Sequence, residues 1–334
     1  MSRFKQVDLS KIKTISIKGR KSKVTPKDFG KVFEPLAQDF TGFIESMPDI
    51  LAAQNLRALV RDIVRARARN KPVIVMMGAH VIKVGLAPIL IDLVRRNIVT
   101  AIAMNSAASI HDVETAMWGK TSEDVAENIL DGRFGMSKET GDFINTALSL
   151  NFYTSDCGYG ETLAKTLIEA KAPNASVSIL TNCYEHNVPV TIHAAIGTDI
   201  IHQQPTMDGA ATGELSFRDF KTFANSVKDL INGGVVLNIG SAVIMPEVFL
   251  KALTVARNLG HHVQGFTTAN FDMLRHYRPM MNVVTRPTHL PAGKAGNKGT
   301  GYDFAGHHEI MIPLLAAMIK LEMHSHARTT RRRK

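Results

Sequence analysis

Short apolar runs alternate with amphipathic segments along most of the chain. The apolar run at residues 73–77 is followed by a glycine turn, a helical pattern over residues 85–96 and a second apolar run over residues 99–104. Strand, turn, helix and strand in this order predict a βαβ unit, whose strands are parallel and whose crossover is right-handed. Apolar positions also recur at helical spacing over residues 50–69, which predicts an amphipathic helix before this unit.

The same alternation returns in the second half of the chain. Pro246 and Gly260 are a typical start and end of one helix there. With the first two runs, the strand-like segments number about six, which predicts one doubly wound α/β domain with a mostly parallel, Rossmann-like sheet and helices on both faces. The predicted segments are helices at 177–185, 217–231 and 246–259 and strands at 188–197, 233–243, 263–270 and 281–287.

Two stretches depart from this alternation. Residues 118–175 are mainly helical in pattern, with a capping-box start at Thr121 or Ser122, and we expect them to cover one side of the sheet. Residues 289–301 are rich in glycine, proline and lysine, which predicts a mobile loop.

The formal net charge of +10 raises the question of a nucleic-acid partner. The excess lies at the two ends, because residues 1–31 hold ten Lys or Arg against two Asp and residues 328–334 add five cations. Such runs are more often solvated arms, and aromatic residues, at 6%, do not interleave with them. We therefore predict a basic N-terminal arm (1–46), a single α/β domain (47–326) and a basic tail (327–334), and keep a nucleic-acid-associated role as a minor alternative.

The two cysteines, Cys157 and Cys183, are too few for a disulfide framework and indicate a reducing compartment. No apolar run approaches the roughly 20 residues of a membrane span, and the first residues lack the apolar stretch of a secretory signal. We therefore expect a cytoplasmic protein without a membrane partner.

Small and polar residues follow the predicted strands. In open α/β sheets, ligands bind outside the carboxyl ends of the strands, so these residues are candidates for a small-molecule site. A single strand followed by small and polar residues is typical of a tight turn with no ligand. Several strands in succession that end in this way favour a ligand-binding site. No Gly-x-Gly-x-x-Gly fingerprint is present, so a dinucleotide would be held differently from the usual Rossmann mode. The candidates are Gly78, Ala79, His80, Asn105, Ser106, Ala107, Asp199, Gly240, Ser241, Thr268, Asn270 and Asp272.

Histidines are numerous and allow a metal site as an alternative. His80, His202, His307 and His308 are the possible ligands, but no His-Glu-x-x-His spacing occurs. Proton transfer by His111 or Asp112 is the preferred hypothesis, and we predict no metal site.

Six segments resemble the deoxyhypusine synthases, in the divergent bacterial branch of that family. They read GAHVIKVGLAPILIDLV, AMNSAASIHDVETA, VPVTIHAAIGTD, GGVVLNIGSAV, FTTANFD and HHEIMIPLLAA. The resemblance implies NAD as cofactor, bound between subunits of a homotetramer, and aminobutyl transfer from a polyamine through an imine on a lysine. It also implies that the strand-end candidates lie along the cofactor and that His111 and Asp112 stand where the family places paired acids.

Two positions depart from the family pattern. Where the family has tryptophan, glycine and lysine, this chain reads NVVTRPT, with Arg286 in that neighbourhood. Lys294 in the following loop is therefore the candidate nucleophile, with Lys298 as the alternative. The family's histidine-bearing segment is SAVIMPEVF here and offers Glu247 instead. We therefore expect an NAD-binding transferase or oxidoreductase acting on a polyamine or other amine, and not authentic hypusine formation. A binding or scaffold protein of the same fold is the alternative.

Overall fold

The computed structural model describes residues 9–20, 22–24, 40–48, 50–289 and 296–332. Within these residues, six parallel strands form the central sheet and two short strands pair antiparallel. The strands are β1 (Ser22–Val24), β2 (Val73–Met77), β3 (Ala101–Asn105), β4 (Thr121–Glu123), β5 (Val190–His193), β6 (Val235–Ile239), β7 (Thr267–Asp272) and β8 (Thr300–Ala305).

Helices connect the strands and cover the sheet. Short 3-10 helices lie at Leu9–Lys11, Ala175–Val177, Ile200–Gln203 and Lys228–Leu230, and a π-helix at Met280–Thr285. The α-helices are α1 (Phe40–Ser46), α2 (Leu51–Ala68), α3 (His80–Lys83), α4 (Ala87–Arg95), α5 (Ser106–Trp118), α6 (Val125–Asn128), α7 (Lys138–Thr154), α8 (Tyr159–Glu169), α9 (Ile179–Glu185), α10 (Gly209–Val227), α11 (Ile244–Asn258), α12 (Tyr277–Pro279) and α13 (His308–Arg332).

The strand order of the central sheet is β5-β3-β2-β6-β7-β8, and every neighbouring pair is parallel. The chain begins this sheet at its centre with β2, builds outward through β3 to β5, and then returns to the centre with β6. The direction of winding therefore reverses between β2 and β6, and such a switch point is where open α/β sheets bind ligands.

Both faces of the sheet are buried. In β2, Val73, Val75 and Met77 pack into the core formed with α2, α4, α5, α8 and α13, whereas Ile74 and Met76 pack against α11 and the end of α10. A strand buried on both sides reads as a continuous apolar run, which is what residues 73–77 show. The predicted fold class, a doubly wound α/β sheet with helices on both faces, is confirmed.

One predicted strand is wrong, and another strand lies where a loop was expected. Residues 281–285 belong to the π-helix and residues 286–287 to the turn that follows it. Val283 of the π-helix is fully buried, and its carbonyl oxygen accepts the hydroxyl of Thr268 at 2.8 Å. The sixth strand is instead β8, which begins inside the stretch expected to be a mobile loop. A short apolar run does not distinguish a buried helical turn from a strand, which explains the error.

The expected helix start at Thr121 or Ser122 is also wrong, because these residues belong to β4, which pairs with β1. Helix α6 starts after Asp124, whose carboxylate accepts the N–H of Glu127 at 3.2 Å. The pairing with β1 and the burial of Ile17 show that described parts of segment 1–46 pack on the body rather than form a solvated arm.

The loops that follow the two central strands, β2 and β6, contact each other through their main-chain atoms. The N–H of Gly78, which follows β2, donates to the carbonyl of Ile239 at 3.0 Å. A Cβ atom at Gly78 would lie 2.1 Å from the carbonyl oxygen of Gly240, which follows β6. The close approach of these loops therefore requires glycine at position 78.

Substitution Gly78→Ala is expected to lower the free energy of unfolding by about 1–3 kcal/mol, because the new methyl group forces the two loops apart. Gly213→Ala is the matched control, since position 213 lies inside α10 with no atom within 4 Å of the added Cβ. This control is expected to be stabilising by about 0.5–1 kcal/mol, from helix propensity. Urea unfolding of both variants measures the difference, and equal effects would contradict the close approach.

Candidate functional site

A cavity of about 200 Å³ opens beside the N-terminal half of α5, where β3 and β5 end. Four residues of the predicted site, Ser106, Ala107, His111 and Asp199, lie at or beside it, although Ser106 and Asp199 are 93 positions apart in sequence. Pockets for drug-sized ligands have about 300–1,000 Å³, so this cavity suits a smaller metabolite. Its walls include Lys83, Ala107, Ile110, His111, Glu123, Val125, Phe134, Thr198 and Asp199.

Asp199 is the carboxylate at the β5 side of this cavity. Its Oδ2 accepts the hydroxyl of Ser106, the first residue of α5. His202 lies beside it, and its Nδ1 accepts the N–H groups of Gly197 and Asp199 at 3.1 and 3.2 Å. Nδ1 is therefore unprotonated, and the N–H is on Nε2, 3.8 Å from Asp199 Oδ2. Burial raises the pKa of Asp199 and lowers that of His202.

His111 on α5 has its tautomer set by a hydrogen-bond chain. The hydroxyl of Thr121 donates to Glu114 Oε2 at 2.5 Å, so its oxygen accepts the Nδ1–H of His111 at 2.6 Å. Nε2 of His111 is then the nitrogen that carries a lone pair. Burial lowers the pKa of His111 to about 4, so the ring is neutral at pH 7.

A buried ion-pair network forms the floor of the cavity. Arg20 donates from Nη2 to Glu114 Oε2 at 3.0 Å and from Nη1 to Ser137 Oγ at 3.1 Å, and Nη1 lies 3.6 Å from Glu123 Oε1. The Arg20 and Glu114 side chains are 2% and 1% exposed. Thr140 adds a hydrogen bond to Glu114 at 2.9 Å. One arginine thus offsets part of the charge of two carboxylates that lie close together in a dry site.

The second group of predicted residues lies at the switch point. His80, which opens α3, and His308, which opens α13, face each other with their Nδ1 atoms 3.0 Å apart. Asp272 ends β7 at the same edge, and its carboxylate accepts the N–H of Met273 at 2.7 Å. A Cβ atom at Gly240 would lie 2.8 Å from the ring of His308, so that glycine lets the ring pack against the β6 turn.

Three residues predicted to bind the cofactor form hydrogen bonds with other residues of the protein. Asn270 accepts from Asn238 at 2.8 Å and donates to Asp303 at 2.9 Å, which links β6, β7 and β8 in register. Thr268 is fully buried within β7 and donates to the carbonyl of Val283. Ser241 Oγ accepts the N–H of Met245 at 3.1 Å and caps the start of α11. These contacts organise the sheet edge.

The structure does not bring Asp112 to the cavity. It lies on another side of α5, where its carboxylate accepts the hydroxyl of Ser178 at 2.5 Å and the N–H of Ile179 at 2.7 Å at the start of α9. Burial raises its pKa to about 6. Glu247 stands in the first turn of α11, paired with Lys251 and Arg278. Lys294 lies outside the described residues.

The described residues offer neither a cluster for a metal ion nor a helix for a membrane span. In that part of the chain, no group of three or more His, Cys, Asp or Glu side chains is placed to hold a metal ion. His307, one of the alternatives, is exposed and lies 3.6 Å from Glu309. None of the described helices combines the length and the apolarity that crossing a membrane requires.

A nicotinamide dinucleotide fits the strand ends in part. Asp272 offers a carboxylate at the end of β7, and the first turn of α5 carries the small residues Ser106 and Ala107 at a helix N-terminus. The usual acidic ribose-binding residue at the end of the second strand is replaced by Asn105, whose Oδ1 accepts the N–H of Ala108 at 3.1 Å. The adenosine half would therefore need other contacts than the usual Rossmann ones.

Sequence reasoning missed three residues of this region. Arg20 was counted with the basic arm, because a single arginine among ten cations carries no signal of burial. Glu123 was read as part of a helix start. The pairing of His308 with His80 was not predicted, because the two residues lie 228 positions apart.

No family model and no curated protein matches the chain. Solved structures do. A binary complex of an AgrE mutant with L-arginine is 14% identical, with 81% of this chain and 34% of that chain covered and a TM-score of 0.50. A complex of AgrE with ornithine and NAD+ is 13% identical, with coverages of 81% and 33% and a TM-score of 0.48. A structure from Entamoeba histolytica, described as a candidate deoxyhypusine synthase, is 12% identical, with coverages of 86% and 96% and a TM-score of 0.49.

The chain spans about a third of the length of the first solved structures it matches, AgrE and the cyanobacterial arginine dihydrolase ArgZ. At these identities the similarity concerns the fold alone. The chain itself has a Rossmann-like α/β fold.

Proposed function

We propose that this chain is an enzyme that binds a nicotinamide dinucleotide at the carboxyl edge of the sheet and acts on a small amine in the cavity beside α5. The observation that carries the proposal is Asp199, a carboxylate with a 4% exposed side chain at the meeting point of two strand ends. The reaction class is that of a hydride-shuttling transferase or an oxidoreductase. A polyamine is the substrate that the family resemblance implies.

The charges around the cavity favour a cationic substrate. Arg20 is held by Glu114 and Glu123, so Lys83 and Asp199 are the remaining charged groups of its wall. Asp199 has its pKa raised by burial, and an ammonium group beside it would stabilise its charged form. Charge-assisted hydrogen bonds of this kind are the strong ones in a partly dry site.

His111 would recognise the substrate rather than take its proton. Its Nε2 lone pair is an acceptor for an N–H or O–H group, since Nδ1 is engaged by Thr121. With its pKa lowered to about 4, the ring is a weak base at neutral pH.

A nicotinamide ring, when bound, supplies a hydride acceptor. Gly78, His80, Gly240 and Asp272 at the switch point are the residues we propose to hold the cofactor, together with the first turn of α5. A homotetramer with cofactor sites between subunits, and a catalytic Lys294, stay predictions from the resemblance. Arg286, near the family's lysine position, donates to Asn282 and Tyr277, and a guanidinium cannot act as the amine nucleophile.

The test combines cofactor binding with amine turnover. The purified chain is expected to bind NAD in calorimetry and to form reduced cofactor with spermidine, putrescine or a related amine. Asp199→Asn is expected to raise KM for the amine about 10- to 150-fold, since a hydrogen bond to a charged group contributes about 1.5–3 kcal/mol, with unchanged NAD affinity.

Asp156→Asn is the matched control, because Asp156 is exposed between α7 and α8. It is expected to leave KM unchanged. Absence of NAD binding would overturn the enzyme proposal. Binding of NAD without any turnover would favour the scaffold alternative, and turnover that Asp199→Asn leaves unchanged would place the amine elsewhere.

A further inference from the structure

Two histidines from distant parts of the chain form a pair at the switch point. Their rings are 5.2 Å apart between centroids, and their Nδ1 atoms are 3.0 Å apart. His308 is 1% exposed, whereas His80 is half-buried. A third contact orients the pair, because Nε2 of His308 lies 3.1 Å from the carbonyl oxygen of Phe271 in β7.

These contacts determine where the protons are. A carbonyl oxygen can only accept, so Nε2 of His308 carries a hydrogen and donates it to Phe271. In the neutral ring, Nδ1 of His308 then carries a lone pair. His80 must donate to that lone pair from its own Nδ1–H. The remaining nitrogen, Nε2 of His80, is left unprotonated at the edge of the sheet.

We infer that His80 is the proton acceptor of this site and that His308 is the positioning residue that sets its tautomer. The inference deepens and rests on the proposed function. The proton leaves an ammonium or hydroxyl group of the substrate, the new N–H bond forms at Nε2 of His80, and the electron pair of the broken bond stays on the substrate nitrogen or oxygen. No oxidant takes part in this step.

Charged groups around His80 shift its pKa in both directions. Burial and His308 lower the pKa of His80, and Lys83 lowers it further. Glu309 and Asp272 act in the opposite direction and would stabilise the imidazolium. Carboxylates thus offset part of the effect of burial on the pKa of His80, whereas burial lowers the pKa of His111 to about 4.

His80 opens α3, and Lys83 at the end of the same helix lines the cavity. His80 follows β2, and Ser106 follows β3, the neighbouring strand, with Met77 and Met104 in register. Neighbouring strands lie about 4.8 Å apart, so the two loops open at adjacent points of the same edge.

The first test needs no substrate. Long-range nitrogen–proton NMR of the full chain with labelled histidine is expected to show His80 as the Nδ1–H tautomer and His308 as the Nε2–H tautomer. Diethyl pyrocarbonate is expected to acylate His80 on Nε2 before it modifies His308. His308→Gln, which keeps a donor for Phe271 near the Nε2 position but loses the acceptor at the Nδ1 position, is expected to abolish the tautomer preference of His80. An Nε2–H tautomer at His80 in the wild type would overturn the inference.

The second test separates a catalytic role from a structural one. His80→Asn places an amide nitrogen near the Nδ1 position and keeps a donor for His308, whereas His80→Gln places its amide near Nε2 and loses that donor. We expect His80→Asn to fold normally and to lose about 10²- to 10⁴-fold in kcat, with the acidic limb of the pH profile removed. Wild-type kcat in His80→Asn would overturn the inference.

The two proposals can fail separately. If NAD binding and turnover are absent while the tautomers and the Nε2 reactivity are as expected, the proposed function and the proton transfer are wrong, and only the positioning of His80 by His308 stands. If turnover is present and the tautomers differ, the inference alone is wrong.

Discussion

Substitution Arg20→Met is expected to lower the free energy of unfolding by about 3–5 kcal/mol, which is the usual effect of removing one partner from a buried ion pair. Arg20 is 6% exposed and contacts Glu114 at 3.0 Å and Glu123 at 3.6 Å. Without the guanidinium, two carboxylates stay in a site with little water, and only hydrogen bonds from neutral donors then offset the cost of their desolvation. Urea unfolding at pH 7, followed by circular dichroism, measures the loss.

Two further variants make this result specific to the buried network. Arg133→Met removes an arginine whose partner Asp131 is exposed, and it is expected to leave the unfolding free energy unchanged. The double variant Arg20→Met with Glu114→Gln is expected to regain part of the stability, because a neutral amide needs no counter-ion and its oxygen still accepts one of the two hydroxyls of Thr121 and Thr140. A loss no greater than that of Arg133→Met would show that the network does not stabilise the fold.

Substitution Asp219→Ala is expected to cost about 2–6 kcal/mol of unfolding free energy, because it leaves two buried N–H groups unpaired at about 1–3 kcal/mol each. Oδ2 of Asp219 accepts the N–H of Gly160 in α8 at 2.8 Å and that of Ile192 in β5 at 2.6 Å. The carboxyl group thus joins α10 to a helix and to the edge strand beside the cavity. Asp219→Asn can keep both bonds through one amide oxygen and is the matched control, with an expected cost below that of Asp219→Ala.

The same residue gives a pH dependence with a defined sign. Burial raises the pKa of Asp219 to about 8, against backbone N–H donors that lower it. A carboxyl group whose pKa is raised in the folded state makes its full contribution to stability at a pH below its unfolded-state pKa. This contribution is lost as the pH rises through the folded-state pKa of about 8. The stability of the wild type relative to Asp219→Asn is therefore expected to fall from pH 5 to pH 9. A rise over that range would contradict the assignment.

Periodicity along the chain was sufficient to predict the central architecture. The runs at β2, β3 and β6 are mostly apolar because both faces of each strand are covered, and such a run is visible without coordinates. Strand–helix alternation then predicted parallel pairing. The edge of the sheet was harder, because β8 has mostly exposed or half-buried residues and shows no apolar run.

Sequence reasoning also predicted which loops would meet. Parallel strands end at the same edge, so Ser106, His111 and Asp199 were expected near one another, and the structure brings them to one cavity. What these side chains contact was beyond the sequence. Asp112 follows His111 directly, yet successive helix positions point about 100° apart, and Asp112 is bonded to the start of α9.

Only the tertiary structure decided which ring nitrogens carry a proton and which charged or histidine side chains pair with each other. Arg20 reaches Glu114 across 94 positions, and His80 reaches His308 across 228. Nothing local in the sequence marks such contacts, because a buried charge or a fixed tautomer depends on atoms supplied by other elements. Most of the helices and strands depend on residues that are neighbours in sequence, so the sequence itself determined them. The chemistry at the carboxyl edge of the sheet depends on contacts between residues that are distant in sequence.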